Sequence, residues 1–240
     1  MARKGTMRSL FIESEFLQEK MELKIYEPEE FDSLYETNVC IMQDGNDYFQ
    51  MGRVATFSDR LHDDYDIVNT FFIGIHYIDR QDRVKKYAPT GEQNEAYMRF
   101  LTEEVVPLLD DELPINPLGT IRTLMGDSLA ATLAFMTTIK YGHIFQQAVI
   151  QSPLVDEHVL AAAQSMTNNR IKLYHSIGLQ EESVDTTELG TIDFVTPNRQ
   201  LKEIIEEKVN DYTYSEIEEG NHTWKHWQKE LPKVMTLMFN

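Results

Sequence analysis

A single cysteine, Cys40, stands among 240 residues, so no intrachain disulfide can staple the fold. That scarcity suits a reducing, cytoplasmic setting. Positive charge is also short: 22 lysines and arginines face 40 aspartates and glutamates, a formal charge of −18. So acidic a chain is a poor general partner for nucleic acid or an anionic bilayer. Long apolar runs are missing. No window approaches the roughly 18 apolar residues of a membrane span. Behind the basic start at Arg3-Lys4, the acids Glu13, Glu15 and Glu19 interrupt any signal-peptide core. A soluble, unsecreted protein is expected. Repeats and Gly-, Ser- or Pro-rich linkers are absent as well, which leaves one domain over residues 1–240 as the expectation.

At 42% hydrophobic residues the chain can still fill a substantial core. Its apolar runs predict strands over 7–17, 21–26, 38–42, 68–77, 119–125, 145–150, 170–177 and 212–217. Helical periodicity predicts helices over 48–62, 92–112, 129–141, 157–166, 198–209 and 223–238. After a strand-rich start the two alternate. The fold class expected is therefore α/β, with a mostly parallel central sheet covered by helices on both faces. The first two strands lie only a few residues apart and predict an antiparallel N-terminal edge.

Between the strand at 119–125 and the helix at 129–141 runs Met125-Gly126-Asp127-Ser128-Leu129-Ala130. A serine at the apex of a strand-to-helix turn is how an α/β-hydrolase fold presents its nucleophile. The turn is tight enough to demand small residues two before and two after the serine, here Gly126 and Ala130. A serine hydroxyl needs an adjacent base. Of seven histidines, His222 follows a late strand and precedes an amphipathic helix, at the carboxyl edge of the sheet where such a base belongs. His175 reads as a core residue, His62, His143 and His158 flank helix ends, and His76 ends a strand near the same rim. His222 and His226 have metal-like spacing, but Thr223 replaces a zinc protease's glutamate and no third ligand presents itself, so no metal is expected. The imidazole needs a carboxylate. Glu181, just beyond the strand at 170–177, gives the chain order serine, acid, histidine. Glu182, Asp185 and Asp193 are rivals for that place. For an oxyanion, the N–H of Leu129 is one expected donor. The other is expected from Gly45, where a glycine lets the backbone come close to substrate.

Taken in order, these segments resemble the putative-esterase branch of the α/β-hydrolases, which includes esterase D, the enterochelin esterases and the mycolyl transferases. The matching segments are Val39-Cys40-Ile41-Met42-Gln43-Asp44-Gly45, Phe72-Ile73-Gly74-Ile75 with Arg83 and Tyr87-Ala88-Pro89, and 100–107. Gly126-Asp127-Ser128-Leu129-Ala130, Gly178-Leu179-Gln180-Glu181 and Gly220-Asn221-His222-Thr223-Trp224 with Trp227 complete the series. The family usually has glycine where Ala130 stands. The resemblance implies an α/β-hydrolase fold and a Ser–acid–His or Ser–His hydrolase that needs no cofactor, with Asp44 and Arg83 on the substrate side. The activity expected is a serine carboxylesterase for small acyl esters, working through an acyl-enzyme. Two alternatives stand beside it. One is a siderophore trilactone esterase with Arg53, Arg83, Lys85 and Lys86 forming a basic mouth. The other is a non-catalytic binding protein on the same scaffold. The partner expected is a small-molecule ester, with no nucleic acid and no membrane. A homodimer is compatible with the chain.

Overall fold

The computed structural model describes residues 3–32, 34–167, 170–186 and 189–240. Eight strands form one sheet: β1 (Thr6–Ser14), β2 (Glu19–Glu27), β3 (Thr37–Met42), β4 (Thr70–Ile75), β5 (Thr120–Asp127), β6 (Gln147–Gln151), β7 (Lys172–Gly178) and, last in sequence, β10 (Asp211–Ile217). Their spatial order is β1-β2-β4-β3-β5-β6-β7-β10. β1 and β2 form an antiparallel hairpin with Thr6 opposite Glu27, and β2 runs antiparallel to β4. Every pairing from β4 onward is parallel. Two short strands, β8 (Val184–Thr186) and β9 (Gly190–Ile192), make a separate antiparallel hairpin.

The burial pattern explains the sheet. β3, β4 and β6 are buried along their whole length, as parallel strands covered on both faces must be. Alternate residues feed two cores. Ile41, Phe71, Ile73, Leu124 and Ile150 point into one, and Cys40, Met42, Phe72, Met125 and Val149 into the other. The second core is closed by α1 (Gly45–Gln50), α2 (Val54–Asp63) and α9 (Trp224–Phe239). The first is closed by α3 (Arg80–Tyr87), α4 (Asn94–Arg99), α5 (Val106–Glu112), α6 (Ser128–Lys140), α7 (Glu157–Ser165) and α8 (Val195–Glu206).

Three expectations about helices change. The helix expected at 48–62 is two, α1 and α2, broken at Gly52-Arg53. An added Cβ on Gly52 would lie 2.5 Å from the Tyr48 carbonyl oxygen, and Arg53 takes φ 55°. The helix expected at 92–112 carries a π turn, Phe100–Val105, between α4 and α5. Pro107 sits in the first turn of α5. It has no N–H and crowds the carbonyl four residues back, and the wider π turn ahead relieves both. Helix α3 fell outside the expected elements. Its stretch Arg80-Gln81-Asp82-Arg83-Val84-Lys85-Lys86-Tyr87 carries little apolar periodicity. Its start is set by Asp79, whose side chain accepts the Asp82 N–H at 2.9 Å. Among the described residues no helix is long and apolar enough to cross a membrane.

Candidate active site

β5 runs into α6 with no loop between them: Asp127 ends the strand and Ser128 begins the helix. Ser128 therefore takes φ 52°, the left-handed region that a non-glycine residue holds only when its surroundings over-determine it. The crowding falls on Gly126, where an added Cβ would lie 2.4 Å from both the carbonyl carbon and the oxygen of Ala130. Ala130 is fully buried and accommodates its methyl.

His222 lies in the turn between β10 and α9. Its Nε2 is 2.8 Å from Ser128 Oγ, and its Nδ1 is 2.7 Å from Glu181 Oε2. With the proton on Nδ1 toward the carboxylate, Nε2 is left to accept from the hydroxyl. Phe194 and Trp227 flank the imidazole, with ring centroids at 4.4 and 4.9 Å. Glu181, 1% exposed, is anchored on its other oxygen. Oε1 accepts from Ser152 Oγ at 2.8 Å and from the Gly178 N–H at 2.9 Å. The rival acids lie elsewhere. Asp193 accepts from the N–H groups of Val195 and Thr196 that open α8, Asp185 accepts from Thr191 in the β8–β9 hairpin, and Glu182 is exposed.

A cleft of about 480 Å³ opens in front of Ser128 and His222, and Leu129, Asp44 and Arg83 line it. Asp44 and Arg83 are bound to each other. Arg83 Nη2 and Nε donate to Asp44 Oδ2 at 2.6 and 3.0 Å, and the aspartate is almost wholly buried. Burial opposes the Arg83 charge, but Asp44 outweighs it and raises the guanidinium above its ordinary range. Gly45 opens α1, so its N–H has no acceptor within the helix. The close approach it permits is to the sheet rather than to substrate: an added Cβ would lie 2.2 Å from Gly74 Cα in β4. Of the four basic residues expected around the mouth, only Arg83 lines the cleft. Lys86 is buried against Glu19 and Asp82, Lys85 approaches Glu92 at 4.0 Å, and Arg53 sits in the break before α2.

Ser152 was not among the residues expected at the site. Trp227, expected only as part of the histidine segment, donates through Nε1 to Ser152 Oγ at 3.1 Å, and Asp127 lines the cleft beside Ser128. A small polar residue closing an apolar strand before a proline, Gln151-Ser152-Pro153, was the one available signal.

A protein-family model described as Putative esterase matches residues 14–238. The chain belongs to the Putative esterase family. The uncharacterized protein YjcH of Bacillus subtilis (strain 168) is 40% identical over 237 residues, 98% of each chain. Solved structures with the same fold include the enterobactin esterase FES of Shigella flexneri, with TM-score 0.82 and 14% identity over 98% of this chain. They also include the BES protein of Bacillus cereus, with TM-score 0.76 and 13% identity over 100% of this chain and 97% of that one. An IroE-like serine hydrolase of Shewanella oneidensis has TM-score 0.78 and 16% identity, covering 98% and 80% of the two chains. The present chain spans 59% of the FES chain. Its fold is that of the α/β-hydrolase esterases, with the antiparallel β1–β2 edge expected from sequence.

Proposed function

We propose that this member of the Putative esterase family is a serine carboxylesterase for small acyl esters, with Ser128 as nucleophile and His222 as its base. His222 Nε2 takes the hydroxyl proton as Ser128 Oγ bonds to the ester carbonyl carbon. The N–H groups of Leu129 and Gly45 receive the oxyanion. As the ester C–O bond breaks, His222 returns the proton to the departing alkoxide, leaving an acyl-enzyme. Water then attacks while His222 accepts its proton, and Ser128 Oγ leaves with that proton as the free acid departs. Glu181 holds the imidazole in the tautomer the first step needs and stabilises the imidazolium.

The observation that carries this reading is the unbroken chain from Glu181 to His222 to Ser128, at 2.7 and 2.8 Å, opening on a cleft. A ferric catecholate trilactone fits less well, because among the described residues four aspartates line the cleft against two arginines, Arg80 and Arg83, and Arg83 is already paired with Asp44. The test is covalent labelling with a fluorophosphonate, expected to add one phosphonyl group to Ser128. Ser128→Ala is expected to lose the adduct and to lower ester turnover by roughly a million-fold. A Ser128→Ala protein that still turns over esters at the normal rate removes the proposal.

A further inference from the structure

The charge balance of the cleft is unusual for a site that takes a neutral ester. Among the described residues lining it, Asp44, Asp47, Asp127 and Asp156 stand against Arg80 and Arg83. Two of the carboxylates are engaged: Asp44 holds Arg83, and Asp156 accepts the Val159 N–H at 2.9 Å. Asp127 differs from both. It is 4% exposed, it lines the cleft directly beside Ser128, and its Oδ1 is buried without a hydrogen-bond partner among the described residues. Burial, ahead of the neighbouring Asp44 charge, raises its carboxyl well above the usual range, with Arg83 pulling the other way. Asp47, half-buried on the same wall, is raised by burial too, and Asp44 adds to that rise. An unpaired buried acceptor costs about 1–3 kcal/mol, and more when charged. A ligand that brings an N–H donor and a positive charge removes that cost, favours the ionised form of Asp127 and offsets the charge of Asp44 and Asp47.

We propose that this cleft selects esters bearing an ammonium group, met by Asp127 with Asp44 and Asp47 beside it. The inference rests on the esterase reading and adds the substrate class. The ammonium meets the Asp127 carboxyl at the cleft wall, while the alkyl part lies along Leu129, Leu154 and Phe194, which line the same cleft. An anionic ester meets the same carboxylates and is repelled.

The test compares hydrolysis by pH-stat at fixed ionic strength for matched pairs. On the acyl side, ethyl 6-aminohexanoate is set against ethyl heptanoate, with monoethyl adipate as the anion. On the alcohol side, 6-aminohexyl acetate is set against heptyl acetate. In at least one pair the ammonium member is expected to have a kcat/KM about ten-fold above its neutral partner, the scale of one charge-assisted hydrogen bond. Asp127→Asn is expected to lower that ratio by about the same factor. Asp47→Asn, at a more exposed position, is expected to lower it as well, and it decides the matter if the Asp127 variant does not fold. Wild-type enzyme that favours the neutral ester in both pairs, or a ratio unmoved in both variants, overturns the charge selection and leaves the esterase reading intact. No hydrolysis of any ester together with no phosphonate adduct on Ser128 removes both.

Discussion

Ser152 shows how much of the candidate site's geometry hangs on one small side chain. It takes φ 46° directly after β6, and its N–H is tied to the Ser176 carbonyl in β7 at 2.8 Å. In that strained position its hydroxyl both donates to Glu181 and accepts from the Trp227 indole. Ser152→Ala leaves the indole N–H unpaired and Glu181 Oε1 with the Gly178 N–H alone. The expected outcome is a kcat lower by about ten-fold with KM little changed, measured on a short acyl ester. Glu181→Gln goes further, because an amide cannot hold the imidazolium. Its kcat is expected to fall by roughly 10³–10⁴-fold, the scale of losing a triad carboxylate. A Glu181→Gln enzyme with normal turnover would show that a serine–histidine pair suffices. The sequence made Ser128 and His222 legible for different reasons. Ser128 is bracketed by small residues that only a cramped turn requires, and His222 has a strand before it and an amphipathic helix after it. Glu181 was favoured among four loop acids for its place just beyond the strand, and its bonds to His222, Ser152 and the Gly178 N–H set it apart from the other three. The part played by Ser152 depends on a positive φ and on β6 lying beside β7, neither of which leaves a local pattern.

At the scale of elements, the junction of β7 and β10 holds the acid and the histidine together. The strands pair in parallel to their ends, where Gly178 stands opposite Ile217. A Cβ on Gly178 would lie 2.5 Å from the Gly220 carbonyl and 2.7 Å from Glu181 Oε1. Gly178→Ala must therefore push apart the two turns that carry Glu181 and His222. It is expected to destabilise the fold by about 1–3 kcal/mol, as overpacking commonly does, and to lower kcat as well. Thermal melting and steady-state kinetics on one preparation check both, and an active Gly178→Ala enzyme with an unchanged melting temperature would contradict it. Elements with strong periodicity were legible in the sequence: all eight strands of the main sheet were expected within a few residues of their observed ends. Those that escaped lack such a signal. Helix α3 is mostly polar and is fixed by the Asp79 cap. The β8–β9 hairpin is too short and too exposed for alternation to show. The breaks at Gly52 and Pro107 follow from backbone sterics that a count of apolar residues does not register.

At the scale of the whole molecule, buried titratable groups shifted in opposite senses shape the dependence of stability on pH. His175 is fully buried between Tyr212 OH at 2.8 Å and Asn198 Oδ1 at 2.7 Å, and burial lowers its pKa from 6.5 to about 4. As pH falls through that window the unfolded chain binds a proton the folded one refuses. The stability His175 contributes is thus complete above pH 6.5 and lost toward pH 4. Glu230 behaves in the opposite way. It accepts from Gln151, from Ser176 at 2.8 Å and from Tyr174 at 3.2 Å, yet burial raises its carboxyl above the ordinary 4.5. Asp127 is raised in the same sense, by burial and then by Asp44. For these two the folded state keeps protons that the unfolded chain has released, so their contribution is present at low pH and drains away as pH rises through the folded value. Self-repulsion among charges summing to −18 adds to the loss on the alkaline side. The melting temperature is therefore expected to peak in mildly acidic solution and to fall on both sides, with added salt restoring the alkaline limb more than the acid one. Glu230→Gln is expected to lessen the loss of stability as pH rises above 4.5, while the loss toward pH 4 that His175 governs persists. Melting curves from pH 4 to pH 9 at two ionic strengths separate these contributions, and a Glu230→Gln protein whose stability falls with rising pH as steeply as the wild type would take Glu230 out of the account.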